Sequence, residues 1–204
     1  MKQTIYLIRH GECVSNHENI FLGRSLDPPL TEKGVQQAYS LAGHLRGMEI
    51  SAVISSSLLR GKQTAQIISK AVDCPFQSTD ALLEVDLGAL DQKDISDKGF
   101  LSMYTQMVQN WEDGYDQVGI LDGESLIEVN ERLLPFFTRT LEQLENDAPI
   151  LLIGHAILWM GFIWKNCVNQ PQKIKDGFMS VANYSVLEVN ENGIFARDLN
   201  VQPY

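Results

Sequence analysis

Two short apolar runs that each end in a histidine constrain this chain more than any other feature. Thr4 to Ile8 is almost continuously apolar and stops at Arg9-His10-Gly11-Glu12, and Ile150 to Ile153 stops at Gly154-His155-Ala156. Runs this short, without the polar alternation of a half-exposed strand, read as strands buried on both faces. That is the habit of parallel sheets covered by helices.

The intervening sequence supplies those helices. After a possible helix start at Gly11 to His17, residues 18–29 read as a loop, with Gly23 and Pro28-Pro29. Thr31 is a good N-cap for a helix to about Arg46, with Val35, Ala38, Leu41, Ala42 and Leu45 on one face. A strand at Ala52 to Ser55 precedes a helix from Leu58 to Ala71, and Phe76 to Ser78 suggests an edge strand. Residues 80–122 lack a clean period apart from a helix near Phe100 to Trp111. A segment that irregular is expected to be a lid or specificity segment. The next helix starts near Gly123-Glu124-Ser125 and carries an apolar stripe through Leu126, Val129, Leu133 and Phe137. Pro135 should kink or split it. An apolar helix follows His155 to Cys167, and Asn192-Gly193 sits between two strand-like runs as a hairpin turn. The expected fold is α/β, a mixed, mostly parallel sheet with helices on both faces and a C-terminal hairpin. The expected organisation is a single domain over residues 1–204.

Charge and cysteine content narrow the partners. The net charge is −10, which disfavours nucleic acid and anionic membranes. The longest apolar run, Ile157 to Trp164, is too short to span a bilayer. No signal-peptide pattern opens the chain, so a cytoplasmic location is the default expectation. Cys13, Cys74 and Cys167 show neither a disulfide framework nor metal-ligand spacing. The sequence leaves the oligomeric state open.

Ligands bind open α/β sheets beyond the carboxyl ends of the strands. His10, Arg9 and His155 should meet there. Arg60, five residues past a third strand end at Ser55, should join them. Two arginines and two histidines suit a phosphoryl group. Arginine presents a planar fork to phosphate oxygens, helix N-termini add N–H donors, and histidine can act as a covalent nucleophile. Arginine would then take the electrostatic role that a metal has elsewhere, so no metal and no cofactor is expected. Each residue also has a bland reading: a solvated turn for Arg9-His10-Gly11, a core histidine for His155, a helix-surface cation for Arg60 and an exposed acid for Glu84. His17 and His44 are assigned to loop and helix surface.

The blocks, taken in order, resemble the histidine phosphatase (phosphoglycerate mutase-like) superfamily. Arg9-His10-Gly11-Glu12 with Asn16 is similar to its nucleophile motif. Phe21-Leu22-Gly23-Arg24 and Pro29-Leu30-Thr31 are similar to the next block, and Ser56-Ser57-Leu58-Leu59-Arg60 to the block of the second arginine. Leu83-Glu84 with Gly88, Gly123-Glu124-Ser125, Gly154-His155 and Asn183-Tyr184-Ser185 complete a likeness that runs nearly end to end. The resemblance implies that His10 attacks phosphorus and that Arg9, Arg60 and His155 hold the phosphoryl oxygens. It implies that Glu84 is the proton donor, and that Asn16, Gly23, Arg24 and Ala156 contact phosphate or substrate. No aspartate follows His155, which favours Glu84 as donor. Ala156-Ile157 stand where small, glycine-rich residues are common, and Ala89-Leu90-Asp91-Gln92 where many relatives have Glu-Gly. These departures bear on substrate preference. The expected activity is a metal-independent phosphomonoesterase acting on a small phosphorylated metabolite. The alternatives are a 2,3-bisphosphoglycerate-dependent mutase and, remotely, a catalytically dead phospholigand-binding module. Residues 80–122 carry only Lys93 and Lys98 as cations among many acids, which argues against the mutase.

Overall fold

A computed structural model describes residues 2–144 and 146–203. Six strands form one sheet: β1 (Gln3–Arg9), β2 (Ala52–Ser56), β3 (Phe76–Thr79), β4 (Ile150–Gly154), β5 (Tyr184–Asn190) and β6 (Gly193–Val201). Their order is β3-β2-β4-β1-β5-β6. β3, β2, β4 and β1 run parallel, and β5 and β6 add the antiparallel hairpin. The helices are α1 (Val14–His17), α2 (Glu32–Leu45), α3 (Leu59–Ala71), α4 (Lys98–Glu112), α5 (Leu126–Glu142) and α6 (Ala156–Asn166).

Strand alternation sorts the core onto two faces. Ile5, Leu7, Ile150 and Leu152 pack into one cluster with Val129, Leu133 and Phe137 of α5 and Leu158 and Phe162 of α6. Ile8, Leu151 and Ile153 point the other way, onto Leu41, Ala42 and Leu45 of α2 and Ala65 and Ile68 of α3. Each such fully buried aliphatic side chain contributes about 1.5–3 kcal/mol. Helices therefore cover both faces, as expected from the apolar runs.

Caps fall where the sequence places them. Thr31 Oγ1 accepts from Gly34 N at 3.0 Å, and Ser125 closes a capping box with Glu128. Two expectations need correction. A helix does not begin at Gly11; only Val14–His17 is helical. Pro135 does not split α5: it lies on the exposed face with Glu131, whose carbonyl the missing N–H leaves free. Within residues 80–122, Leu82, Val85, Leu87 and Leu90 are fully buried, and so is Trp111 of α4. His44 lies on the exposed side of α2 and shares a 3.0 Å hydrogen bond with the Tyr184 hydroxyl. The His17 side chain lies outside the described residues. Among the described residues, no helix is long and apolar enough to cross a membrane.

Candidate active site

β1 and β4 are neighbours, and Arg9 is in register with Gly154. The next residue on each strand is therefore a histidine. His10 N donates to Gly154 O at 3.1 Å, and the two imidazole centroids lie 5.0 Å apart in an edge-on arrangement. Both rings are buried, and each titrates well below the ordinary imidazole range. Burial is the main cause, with the Arg60 and Arg9 charges adding to it. His10 Nδ1 lies 2.7 Å from Gly11 O. A carbonyl can only accept, so Nδ1 carries the proton and Nε2 keeps its lone pair.

Gly11 is held hard against α2. A Cβ on Gly11 would sit 2.4 Å from Gly34 O, and one on Gly34 would sit 2.0 Å from Glu12 O. Thr31 N also donates to Glu12 O at 2.9 Å, so the helix start and the turn after His10 fit as one unit.

Arg60, at the first turn of α3, is completely buried and not a surface cation. Its NH2 donates to Gly23 O at 2.9 Å and its NH1 to Leu26 O at 3.3 Å, which fastens the 18–29 loop over the site. Arg9 NH1 donates to Met179 O at 2.7 Å, and its guanidinium lies 5.3 Å from the Phe178 ring centre. Among the described residues, six buried side-chain nitrogen or oxygen atoms have no partner within the protein. Four belong to this cluster: Arg9 Nε, Arg60 Nε and both ring nitrogens of His155. Unpaired buried polar atoms cost about 1–3 kcal/mol each, so their convergence marks a place built for a polar, anionic ligand.

Glu84 is buried, not exposed. Its Oε1 accepts from Val85 N at 2.9 Å and Leu158 N at 2.8 Å, and its Oε2 from Ile157 N at 3.2 Å. The carboxyl thus sits on the first turn of α6. Burial pushes its pKa up, and the three amides and Arg60 only partly offset that.

The remaining anticipated contacts divide. Asn16 and Ala156 line a cavity of 230 Å³ together with Arg9, His10 and Glu84. Asn16 Oδ1 is taken by Cys13 N and Sγ, both at 3.1 Å, which leaves its NH2 group as the donor. Gly23 N instead donates to Asp91 Oδ1 at 2.8 Å. Arg24 forms an ion pair with Glu124 and donates through Nε to Glu84 O at 2.6 Å, so it braces the acid's backbone. Among the described residues, a larger cleft of 630 Å³ beneath β2 and β3 contains no charged side chain.

Several residues of this site were not anticipated. Asp91 accepts from the amides of Gly23, Arg24 and Ser25. Burial alone would raise its pKa, but these bonds hold it below the usual carboxylate range. Arg132 reaches from α5 to Ala81 O at 2.8 Å and Leu83 O at 3.0 Å, and pairs with Glu124. Tyr104 and Phe178 also line the cavity. The Gly123-Glu124-Ser125 block and Arg24 lay in stretches flagged by sequence, but neither signal showed that they meet in one bracing network. Among the described residues, no three histidine, cysteine, aspartate or glutamate side chains are grouped to hold a metal.

This arrangement, with an Nε2 lone pair among arginines and a second histidine at parallel strand ends, is chemically suited to receive a phosphoryl group. The chain belongs to the histidine phosphatase superfamily (branch 1), whose model it matches over residues 5–202. It is 37% identical over 158 residues to the probable phosphoglycerate mutase GpmB of Salmonella arizonae, across 75% of this chain and 69% of that one. Among solved structures, a mycobacterial hydrolase aligns with a TM-score of 0.84 at 21% identity, over 99% of this chain and all of its own. A putative alpha-ribazole-5'-P phosphatase from Escherichia coli aligns at 0.77 and 23% identity, over 98% of this chain and 97% of its own. At such identities these two similarities speak for the fold.

Proposed function

We propose that the chain is a phosphomonoesterase that works through a phosphohistidine on His10 and needs no metal or cofactor. The observation that carries this reading is the His10 tautomer: Nδ1–H is committed to Gly11 O, and Nε2 is left as nucleophile among four unpartnered nitrogens. Nε2 attacks phosphorus while the phosphorus–oxygen bond to the alcohol breaks, and Glu84 gives the leaving oxygen its proton. Glu84 Oε1 already accepts two amides and Oε2 only one long one, so Oε2 is the atom with room for that proton. Water then attacks phosphorus while the phosphorus–Nε2 bond breaks and the water's proton goes to Glu84, so inorganic phosphate leaves and His10 Nε2 regains its lone pair. Arg9, Arg60 and His155 bind the phosphoryl oxygens throughout. The substrate is a small phosphorylated molecule, and residues 80–122 supply Glu84, Leu87, Ile95, Leu101 and Tyr104 to its wall, which supports their role in specificity.

The mutase name of the relatives favours a second reading. A mutase must hold a second anion, yet Arg24 is spent on Glu124 and on the Glu84 carbonyl, and Lys93 and Lys98 do not line the cavity. Hydrolysis is therefore the better reading. Quenching turnover of a labelled ester in excess chelator should trap an acid-labile phosphoenzyme that His10→Ala lacks. With 3-phosphoglycerate and 2,3-bisphosphoglycerate supplied together, isomerisation faster than hydrolysis of any ester would establish the mutase instead.

A further inference from the structure

We propose that the cavity selects phosphomonoesters of an uncharged alcohol carrying an apolar ring, an inference that rests on the hydrolase reading above. Beyond the phosphoryl cluster, its walls are aromatic and aliphatic: Ile20, Phe21, Ile95, Leu101, Tyr104 and Phe178. They come from four separate stretches of chain, so the apolar lining is a property of the assembled site and not of one helix face. The Phe21 and Tyr104 rings pack 5.4 Å apart on one side, and Phe178 stands beside the Arg9 guanidinium. A ring bound there lies next to the phosphoryl group that Arg9 holds.

Two further observations support this. Leu101 and Phe178 are 41% and 39% exposed, and, unlike the other exposed large apolar side chains, both line this cavity. An apolar ligand that covered them would gain the transfer energy that water denies them now. The charges point the same way. Among the described residues, Arg9 is the only cation lining the cavity, and it belongs to the phosphoryl cluster, while Glu84 adds a buried carboxyl. A carboxylate or second phosphate on the alcohol would find no counterion and would lie near an acid. The volume of 230 Å³ falls under the roughly 300–1,000 Å³ of drug-sized sites, which suits one or two small rings. Asn16 and the Tyr104 hydroxyl are the polar groups left to orient a neutral heteroatom.

The test compares 2-phenylethyl phosphate with 3-phosphoglycerate. Both are esters of primary alcohols, so leaving-group chemistry differs little. We expect kcat/KM to favour the phenylethyl ester by about 100-fold or more, and Leu101→Lys, at an exposed rim position, to cut that ratio by about tenfold. Calorimetric binding of 2-phenylethylphosphonate and 3-phosphonopropionate reads the cavity without turnover, and the ring should bind more tightly. Equal or better hydrolysis of 3-phosphoglycerate, with a phosphoenzyme formed, would overturn the substrate class and leave the hydrolase standing. No phosphoenzyme from either ester, with the ring phosphonate still preferred, would sink the hydrolase and keep the cavity's preference. No preference in binding would overturn the inference outright.

Discussion

Glu84 Oε1 lies 2.8 Å from Leu158 N, so the acid is seated on the amide end of the helix that begins directly after His155. A carboxylate at a helix N-terminus is ordinarily stabilised. Here burial outweighs the amides and the pKa still rises. The helix fixes where the carboxyl sits, and the dry surroundings favour its protonated form.

Glu84→Gln should therefore slow turnover of alkyl esters by roughly a hundredfold. The amide oxygen can still accept from Val85 and Leu158, so the fold should hold. The loss should be much smaller with 4-nitrophenyl phosphate, whose leaving group hardly needs a proton. Equal losses with both esters would remove Glu84 from the acid role. In the wild type, kcat/KM for alkyl esters should fall as pH rises through the raised Glu84 pKa, and this limb should vanish in the variant.

Acid should destabilise the protein through its two site histidines. Both titrate lower folded than the usual 6.5, so the unfolded chain takes up protons first. The stability they permit is complete above about pH 6.5 and is lost as pH falls from there toward the native values. The slope is at most about 1.4 kcal/mol per pH unit for each histidine. Urea unfolding at intervals between pH 5 and 8 measures it. His155→Gln should flatten the profile, and an unchanged slope would show that other groups control it.

Arg60→Lys should be far from conservative. An ammonium cannot reach Gly23 O and Leu26 O together while presenting a fork to phosphate. Activity should drop by about a hundredfold or more, with faster amide exchange across residues 20–27. Hydrogen exchange followed by mass spectrometry separates the two effects. Lost activity with an undisturbed loop would confine Arg60 to phosphate binding.

Gly34→Ala should damage catalysis from outside the cavity. Its new methyl would meet the Glu12 carbonyl at 2.0 Å and push the turn that follows His10. Overpacking of this kind costs about 1–3 kcal/mol. Because the strained element carries the nucleophile, kcat should fall by about tenfold even at temperatures where the variant is folded by circular dichroism. Gly43→Ala, on the same helix with nothing near its Cβ, is the control.

The sheet and the meeting of the two histidines were legible because each depends on a local signal. Apolar runs without alternation announced β1 and β4, and the residues following them announced the two histidines. Asn192-Gly193 announced the closing hairpin. The burial of Leu82, Val85, Leu87 and Leu90 was not legible, since that stretch crosses the core in turns that follow no period. The bracing of Glu84 was hidden for another reason. Arg24 and Arg132, which share Glu124, come from separate elements, and nothing in their spacing shows that they converge on the Glu84 carbonyl. The apolar character of the cavity is likewise a property of assembly, because Ile20, Leu101 and Phe178 are unremarkable one at a time.

The rung that joins His10 N to Gly154 O makes the distance between the two histidines a dimension of the sheet, close to the ~4.8 Å strand spacing. No loop sets it. The helix Lys98–Glu112, by contrast, contributes only Leu101 and Tyr104 to the described cavity wall. A different helix could be grafted there, longer or more basic, without re-aiming His10. On the hydrolase reading proposed above, the chain would be a fixed phosphoryl-handling chassis with an exchangeable fitting for the alcohol, and redesign of its selectivity can begin at Leu101 and Tyr104 with the two histidines untouched.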